Sequence, residues 1–279
     1  MLSSLRRAVR IGRGSYVGLD ARELARAYAT LEAGHLREKY LGRTPARPVS
    51  ILGYQVNFLS YKSLRYLFEE IFLNQDYCFV ADTPAPFILD CGSNIGTSIL
   101  YFKKLYPQAR IVGFEPFAQA FGVLQKNVTD NNLPEVAVHN IGLSGRIDER
   151  NFYFDPANPG RLLMSFVEGR IAGAASVVKT TPLSPFIDRE VDFVKMDIEG
   201  SEMPVIQELC NTGKLSMIKQ MAIEYHHHID GGADALSDLL RLLEGANFGY
   251  LIGGRFGTPP VQGQFQDIMI RAYRKQPAA

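Results

Sequence analysis

The chain has no tryptophan, only three cysteines in 279 residues, and almost no net charge, with 30 Lys and Arg against 29 Asp and Glu. Each shortage excludes something. Scattered cysteines cannot build a disulfide framework or a zinc knuckle, and they suit a reducing compartment. A formal charge of +1 gives no electrostatic reason to expect a nucleic-acid partner. No apolar run approaches the length of a membrane span. Arg6, Arg7, Arg10 and Arg13 crowd the N-terminus, but no uninterrupted apolar stretch follows, so no secretory signal is expected. The arginines read as a solvated helix face rather than a contact with an anionic surface. Together these point to a cytoplasmic protein. The hydrophobic share, 46%, allows a full core. The length suits one large domain, or one domain with an added piece.

Periodicity divides the chain. Ala21 to Tyr40 reads as an amphipathic helix, with Leu24, Tyr28, Leu31 and His35 or Leu36 on a common face. Thr44-Pro45-Ala46-Arg47-Pro48 breaks it. Val49 to Val56 has strand character with a turn signal at Gly53, and Tyr61 to Phe72 returns to helical spacing. Thr83-Pro84-Ala85-Pro86 marks a junction, giving a mainly helical cap subdomain over 1–83 and a second unit over 84–279. In that unit strands are expected at Phe87–Cys91, Ala109–Phe114, Val136–Leu143, Val191–Met196 and Met217–Glu224. Helices are expected at Asn94–Leu105, Phe117–Asn131, Glu202–Cys210 and Ala233–Leu243. An irregular insert spans Ser144 to Ile187, with strand-like Asn151–Phe154 and Ser176–Thr180. Tyr250–Ile252 and Asp267–Tyr273 read as strands with no helix between them. Alternating β and α implies an α/β fold with a mostly parallel, doubly wound sheet, here finishing in an antiparallel hairpin.

The most informative stretch is Asp90-Cys91-Gly92-Ser93-Asn94-Ile95-Gly96, a tight glycine turn between strand and helix. Glycines let a backbone approach a nucleotide-type ligand without a Cβ in the way. Glu115 ends the next strand at the spacing where a carboxylate accepts ribose hydroxyl hydrogens. A dinucleotide site would want a third glycine, but Ile99 stands there. Asp90, read as facing the ligand, suits a sulfonium or an ammonium better than a pyrophosphate. S-adenosylmethionine carries both, and a ribose for Glu115. The plainer alternative is that Gly92 and Gly96 only permit tight helix–strand packing. A nicotinamide-dependent oxidoreductase and a non-catalytic binding module are the rival functions.

Residues Phe87 to Gly96 and Val191 to Glu202, with its D-x-E-G-x-E segment, resemble the FkbM-type S-adenosylmethionine-dependent methyltransferases. Phe68-Glu69-Glu70-Ile71-Phe72, Tyr77 and Ile223-Glu224-Tyr225-His226 extend the likeness over roughly Val49 to Arg274. The resemblance implies a class I methyltransferase fold with a seven-stranded sheet. It also implies, commonly, O-methylation of a hydroxyl on a natural product or saccharide. N- or carboxyl methylation stays open.

On that footing Asp90, Gly92, Ser93, Asn94 and Gly96 would line the methionine half of the donor. Glu115 would hold the ribose, with Pro116 and Phe117 flanking the adenine. Asn140 would sit near the adenine or serve only as a turn residue. The resemblance places Tyr77 beside the cofactor. Asp197 ends a strand at the ligand-binding edge. Methyl transfer to an alcohol needs a base, and Asp197, Glu199, Glu224 and His226 are the candidates. A second arrangement has Asp197, Glu224 and His226 holding a divalent cation such as magnesium, which is not the favoured one. Glu199 and Glu202 read equally as first-turn acids meeting a helix dipole. His227 and His228 read as a solvated loop end. Asn158-Pro159-Gly160-Arg161 marks the insert where acceptor specificity could lie.

Overall fold

The computed structural model describes residues 2–42, 48–155, 166, 173–229, 235–254, 261, 263 and 265–275. Two helices come first, α1 (Leu2–Ile11) and α2 (Ala21–Leu41). The Asp20 side chain accepts from the backbone of Arg22 and Glu23 to open α2, and Gly42, at φ +61°, closes it. A short hairpin follows, β1 (Val49–Ile51) with β2 (Tyr54–Val56). Helix α3 (Tyr61–Phe68) starts at a Ser60 cap and runs into a π-helical turn, Glu69–Leu73. A single regular helix was expected here. Along the π-helical turn Glu69 turns to Arg7 and Arg65, while Glu70 reaches the site described below.

The remaining elements are β3 (Phe87–Cys91), α4 (Thr97–Leu105), β4 (Arg110–Phe114), α5 (Ala118–Asp130), β5 (Val136–His139), β6 (Gly142–Leu143), β7 (Asp148–Phe154), β8 (Ala174–Thr181), β9 (Val191–Met196), α6 (Glu202–Asn211), β10 (Ile218–His227), α7 (Leu236–Gly245), β11 (Phe248–Gly254) and β12 (Gln266–Arg274). Seven strands form one sheet in the order β11-β12-β10-β9-β3-β4-β5. Strands β10, β9, β3, β4 and β5 are parallel, and β12 runs antiparallel between β10 and β11. This is the expected mostly parallel sheet with an antiparallel finish. The chain leaves β3 toward β4 and β5, then returns to β9 on the other side. The crevice between β3 and β9 is therefore the topological switch point, where such sheets bind ligands.

Three local differences have physical causes. The expected strand Val136–Leu143 splits into β5 and β6, which join different sheets. Between them the Asn140 side chain donates to the carbonyls of Glu115 and Pro116, drawing the backbone out of the ladder. Strand β10 outruns its expected end at Glu224, because β12 supplies a partner as far as His226↔Asp267 and His227↔Gln266. His227 is thus a half-buried strand residue, its ring 3.8 Å from that of His228 and near Tyr225, not part of a solvated loop. The start of the helix expected at Ala233, and Asn158 to Arg161 of the insert, lie outside the described residues.

Strand parity sorts the core. Ile88, Phe193 and Ala222 face α4, α5 and the N-terminal helices, while Leu89, Val194 and Met221 face α6 and α7. Phe193 stacks on Phe79 with ring centroids 4.2 Å apart and meets Phe102 edge-on. Hence residues N-terminal to the sheet share one core with it.

A buried amide fastens this covering. Asn127, on α5, accepts from the Asn57 backbone N–H at 2.7 Å and donates to the carbonyls of Asn57 and Ile95 at 3.0 and 2.7 Å. Leucine there would leave those backbone groups without partners, at about 1–3 kcal/mol each. We expect Asn127→Leu to lower the unfolding free energy in urea by at least about 2 kcal/mol. A loss below about 0.5 kcal/mol, the level of an ordinary surface change, would show that the clasp is dispensable.

Candidate active site

The site forms where the turns after β3, β4, β9 and β10 converge. Gly92 has φ +87°, and a Cβ built on it would lie 1.8 Å from the Asp197 carbonyl oxygen. The turns after β3 and β9 touch there, and only glycine allows it. Gly96 also has φ +87°, and its added Cβ would meet Leu124 at 2.7 Å. Both glycines therefore serve close packing, the plainer reading of the motif. Gly92 faces the crevice as well.

Glu115 bridges two of the turns. Its Oε2 accepts from the Asn94 N–H at 2.9 Å and its Oε1 from the Phe117 N–H at 2.8 Å. Burial pushes its carboxyl up to about 7, against the pull of those two N–H donors. The group is thus fixed in position while each oxygen keeps a further acceptor direction.

Asp90 does not face the crevice as expected. It is fully buried beneath the turn; Oδ2 accepts from Ser98 Oγ at 2.7 Å, and Oδ1 lies 3.8 Å from Lys195 Nζ. Burial raises its pKa, while Lys195 and Ser98 oppose the rise. The side chain that does reach the crevice is Lys195, directly opposite Asp90 in the β3–β9 ladder. Lys195 Nζ donates to the Gly92 carbonyl, lies 3.5 Å from Asp197 Oδ2, and sits 5.2 Å over the Tyr77 ring. Burial disfavours its charge, but Asp197, Asp90 and Glu224 outweigh burial and raise its pKa. Tyr77 is buried and donates its hydroxyl to Glu224 Oε2 at 3.0 Å.

His226 occupies the far side. Its Nδ1 is 2.8 Å from Glu202 Oε1; its Nε2 is 3.4 Å from Glu199 Oε2, 3.8 Å from Asp197 Oδ1 and 4.0 Å from Asp267 Oδ1. Burial works against a charged ring, yet Glu202, Glu199 and Asp197 together raise the imidazole well above its ordinary value. The expected trio of Asp197, Glu224 and His226 does not come together as one group. His226 instead is shared by two sets, with Asp197 and Glu199 on one side and with Glu224 and Asp267 on the other, each within 4.8 Å. The register explains this: Glu224 and His226 share a strand face with Asp267 opposite, while Asp197 belongs to the neighbouring turn.

These groups line one cavity of about 910 Å³. Of the residues read from sequence, Tyr77, Gly92, Ser93, Asn94, Glu115, Pro116, Asp197, Glu199, Glu224 and His226 line it. Asp90, Gly96, Phe117 and Asn140 do not: Phe117 packs against Phe152 and Phe154, and Asn140 clamps the turn after Glu115. Sequence reading missed Lys195, Asp267, Tyr66 and Glu70. Burial, then Asp197 and Asp76, push Glu70 up to about 8. Lys195 had a signal: it shares strand parity with Asp197 and stands between the apolar Phe193-Val194 and Met196. Glu70 and Tyr66 had none beyond the helical pattern.

The lining suits a cationic donor. Glu38, Glu70, Glu115, Asp197, Glu199, Glu224 and Asp267 face it, against Lys62, Lys195 and His226 among the described residues. No helix among the described residues is long and apolar enough to cross a membrane.

The chain is similar to known methyltransferases. Residues 90–252 match the family model described as the methyltransferase FkbM domain, which is more than half of the chain. The chain is 29% identical to "Methyltransferase 1" of Beauveria bassiana over 168 residues, covering 52% of this chain and 67% of that protein. It is also 29% identical to the AMB antimetabolite synthetase AmbE of Pseudomonas aeruginosa, over 68% of this chain but 11% of that protein. Against the crystal structure of methyltransferase FkbM from Methylobacillus flagellatus KT the TM-score is 0.48 at 17% identity, covering 98% of this chain and 58% of that one. The chain therefore spans only a fraction of AmbE and little more than half of that crystallised chain.

One substitution tests the turn-to-turn contact. Gly92→Ala forces its Cβ against the Asp197 carbonyl at a positive φ. We expect a lower melting temperature and no stabilisation by S-adenosylhomocysteine in a thermal-shift assay. Wild-type behaviour in both would show that the turns separate freely.

Proposed function

This chain belongs to the FkbM methyltransferase family, and from that premise we propose that it O-methylates a hydroxyl of a small-molecule natural product or saccharide. It is an S-adenosylmethionine-dependent methyltransferase; the acceptor and the residue roles below are our reading. The single observation that carries it is His226 Nε2 facing Asp197, Glu199 and Asp267 across the cavity from the Gly92–Asn94 turn.

Gly92, Ser93, Asn94 and Glu115 would hold the donor, with Tyr77 and Pro116 beside it. The donor supplies an electrophilic methyl on a sulfonium. The acceptor oxygen forms a bond to that carbon as the carbon–sulfur bond breaks, and the hydroxyl proton must go to a base. His226 takes it, and the surrounding carboxylates stabilise the imidazolium that results. A carboxylate acceptor would need no base, so an imidazole aimed at the cavity favours a hydroxyl. An acid-rich lining disfavours phosphate-bearing acceptors, which supports a small molecule over nucleic acid. The name of AmbE places one relative in antimetabolite synthesis, in line with secondary metabolism. Residues 1–83 would act as a cap, since Glu38, Lys62, Tyr66 and Glu70 all reach the cavity. We place the protein in the cytoplasm, from its few cysteines.

Binding comes first in the tests. S-adenosylmethionine is expected to raise the melting temperature and nicotinamide dinucleotides are not. No binding at millimolar donor would support a non-catalytic module instead. A mass-spectrometric screen for a methyl increment on candidate acceptors then identifies the substrate.

With that acceptor, His226→Ala should lower kcat about 10²–10⁴-fold while donor affinity stays within about twofold. The neutral ring is the base, and its proton affinity is raised. The rate should therefore climb with pH through a midpoint above the ordinary histidine value of 6.5. A midpoint at or below that value, or an unaltered rate in the alanine variant, would remove His226 from this role. Stringent chelation should leave the rate intact; loss restored by magnesium would turn the acid cluster into a cation site.

A further inference from the structure

Glu202 opens α6, where acids commonly meet a helix dipole. It does something else here. The residue is 1% exposed, and its side chain folds back over the turn that follows β9. Its Oε1 accepts from the backbone N–H of Ile198 and of Gly200, each at 3.2 Å, and lies 2.8 Å from His226 Nδ1. Backbone N–H groups only donate. An oxygen that accepts from two of them has no proton to give, so the contact with His226 requires Nδ1 to carry the hydrogen. The neutral ring is then the Nδ1–H tautomer, with the Nε2 lone pair directed at the cavity.

We infer that Glu202 is the positioning residue of the reaction, holding His226 in the one tautomer and orientation from which Nε2 can accept the acceptor's proton. This rests on the methyl-transfer reading above. The same oxygen also shapes the turn that presents Asp197 and Glu199, where Glu199 takes φ +55° and Gly200 φ +99°. One buried carboxylate thus sets both the ring and the acids facing it. A base oriented by a third group is the logic of nucleophile–base–orienter sites generally. The charged groups around the ring are Asp197 and Glu199 from the turn after β9, Glu202 from α6, Glu224 from its own strand and Asp267 from β12. Among them Glu202 alone meets Nδ1.

Nitrogen-15 and carbon-13 NMR of histidine-labelled full-length protein tests this, with His226→Asn identifying the resonances. The expected wild-type spectrum at high pH is the Nδ1–H tautomer. Glu202→Gln keeps an oxygen for the Ile198 and Gly200 N–H groups but removes the charge. It should lower the proton affinity of His226 about tenfold or more. The calorimetric affinity for S-adenosylhomocysteine should stay within about twofold. On the acceptor identified by the mass screen, kcat should fall at least about tenfold with little change in donor KM. An Nε2–H tautomer in the wild type overturns the inference, even if the variant does not fold. So does a variant whose His226 titration and kcat are unmoved. If wild-type protein does not bind S-adenosylhomocysteine, the methyl-transfer reading fails, whatever the tautomer.

Discussion

Lys195 brings a buried ammonium to the wall of the cavity, and the groups around it are arranged to meet that charge. Its side chain is 4% exposed, with the carboxylates of Asp90 and Asp197 within 4.0 Å, the Gly92 carbonyl as acceptor, and the Tyr77 ring beneath it. An unpaired buried charge would cost several kcal/mol, so these partners are conditions for folding as much as features of the site. The carbonyl it binds belongs to the turn after β3, and one of its carboxylates to the turn after β9. The charge therefore pulls together the turns whose contact demands glycine at position 92. Tyr77, covered by the same ammonium, extends the connection through Glu224 to β10.

This arrangement changes what the acids mean. Asp90 is buried, with its charge met by Lys195 and by the Ser98 hydroxyl. The carboxylates that face the cavity are Glu38, Glu115, Asp197, Glu199, Glu224 and Asp267, with Glu70 from the π-helical turn. Burial and then neighbouring carboxylates raise the proton affinity of Glu70 and Glu224, while Glu202, Glu199 and Asp197 raise that of His226 against its burial.

Much of this was legible in the sequence. Alternating strand and helix patterns fixed the sheet, and the gap between Gly92 and Glu115 fixed which carboxylate meets the glycine turn. The structure shows why spacing sufficed: Asn94 and Phe117 bond Glu115 through backbone N–H groups that any residue carries. Asp90 was misjudged because its direction depends on Lys195, which lies more than a hundred residues away and meets it only through parallel register. Glu70 and Asp267 were illegible for a like reason. One reaches the cavity through the packing of its helical run on the sheet, the other through the pairing of β12 with β10.

Strand parity unites the core and the site more closely than the motifs do. Ile88 and Asp90 share one face of β3, Phe193 and Lys195 one face of β9, and Ala222, Glu224 and His226 one face of β10. On each strand the residues nearer the amino end pack under the N-terminal helices and α4, and those at the carboxyl end are charged. The cavity is therefore the continuation of a hydrophobic layer past the point where the covering stops supplying apolar partners. That continuity explains why Tyr66 and Glu70 reach the site from the same helical run whose Leu64, Phe68 and Ile71 are buried in the core. The covering helices cannot be loosened from the apolar layer without also moving the wall of the cavity. The cavity wall and the core packing are bound to the same segment.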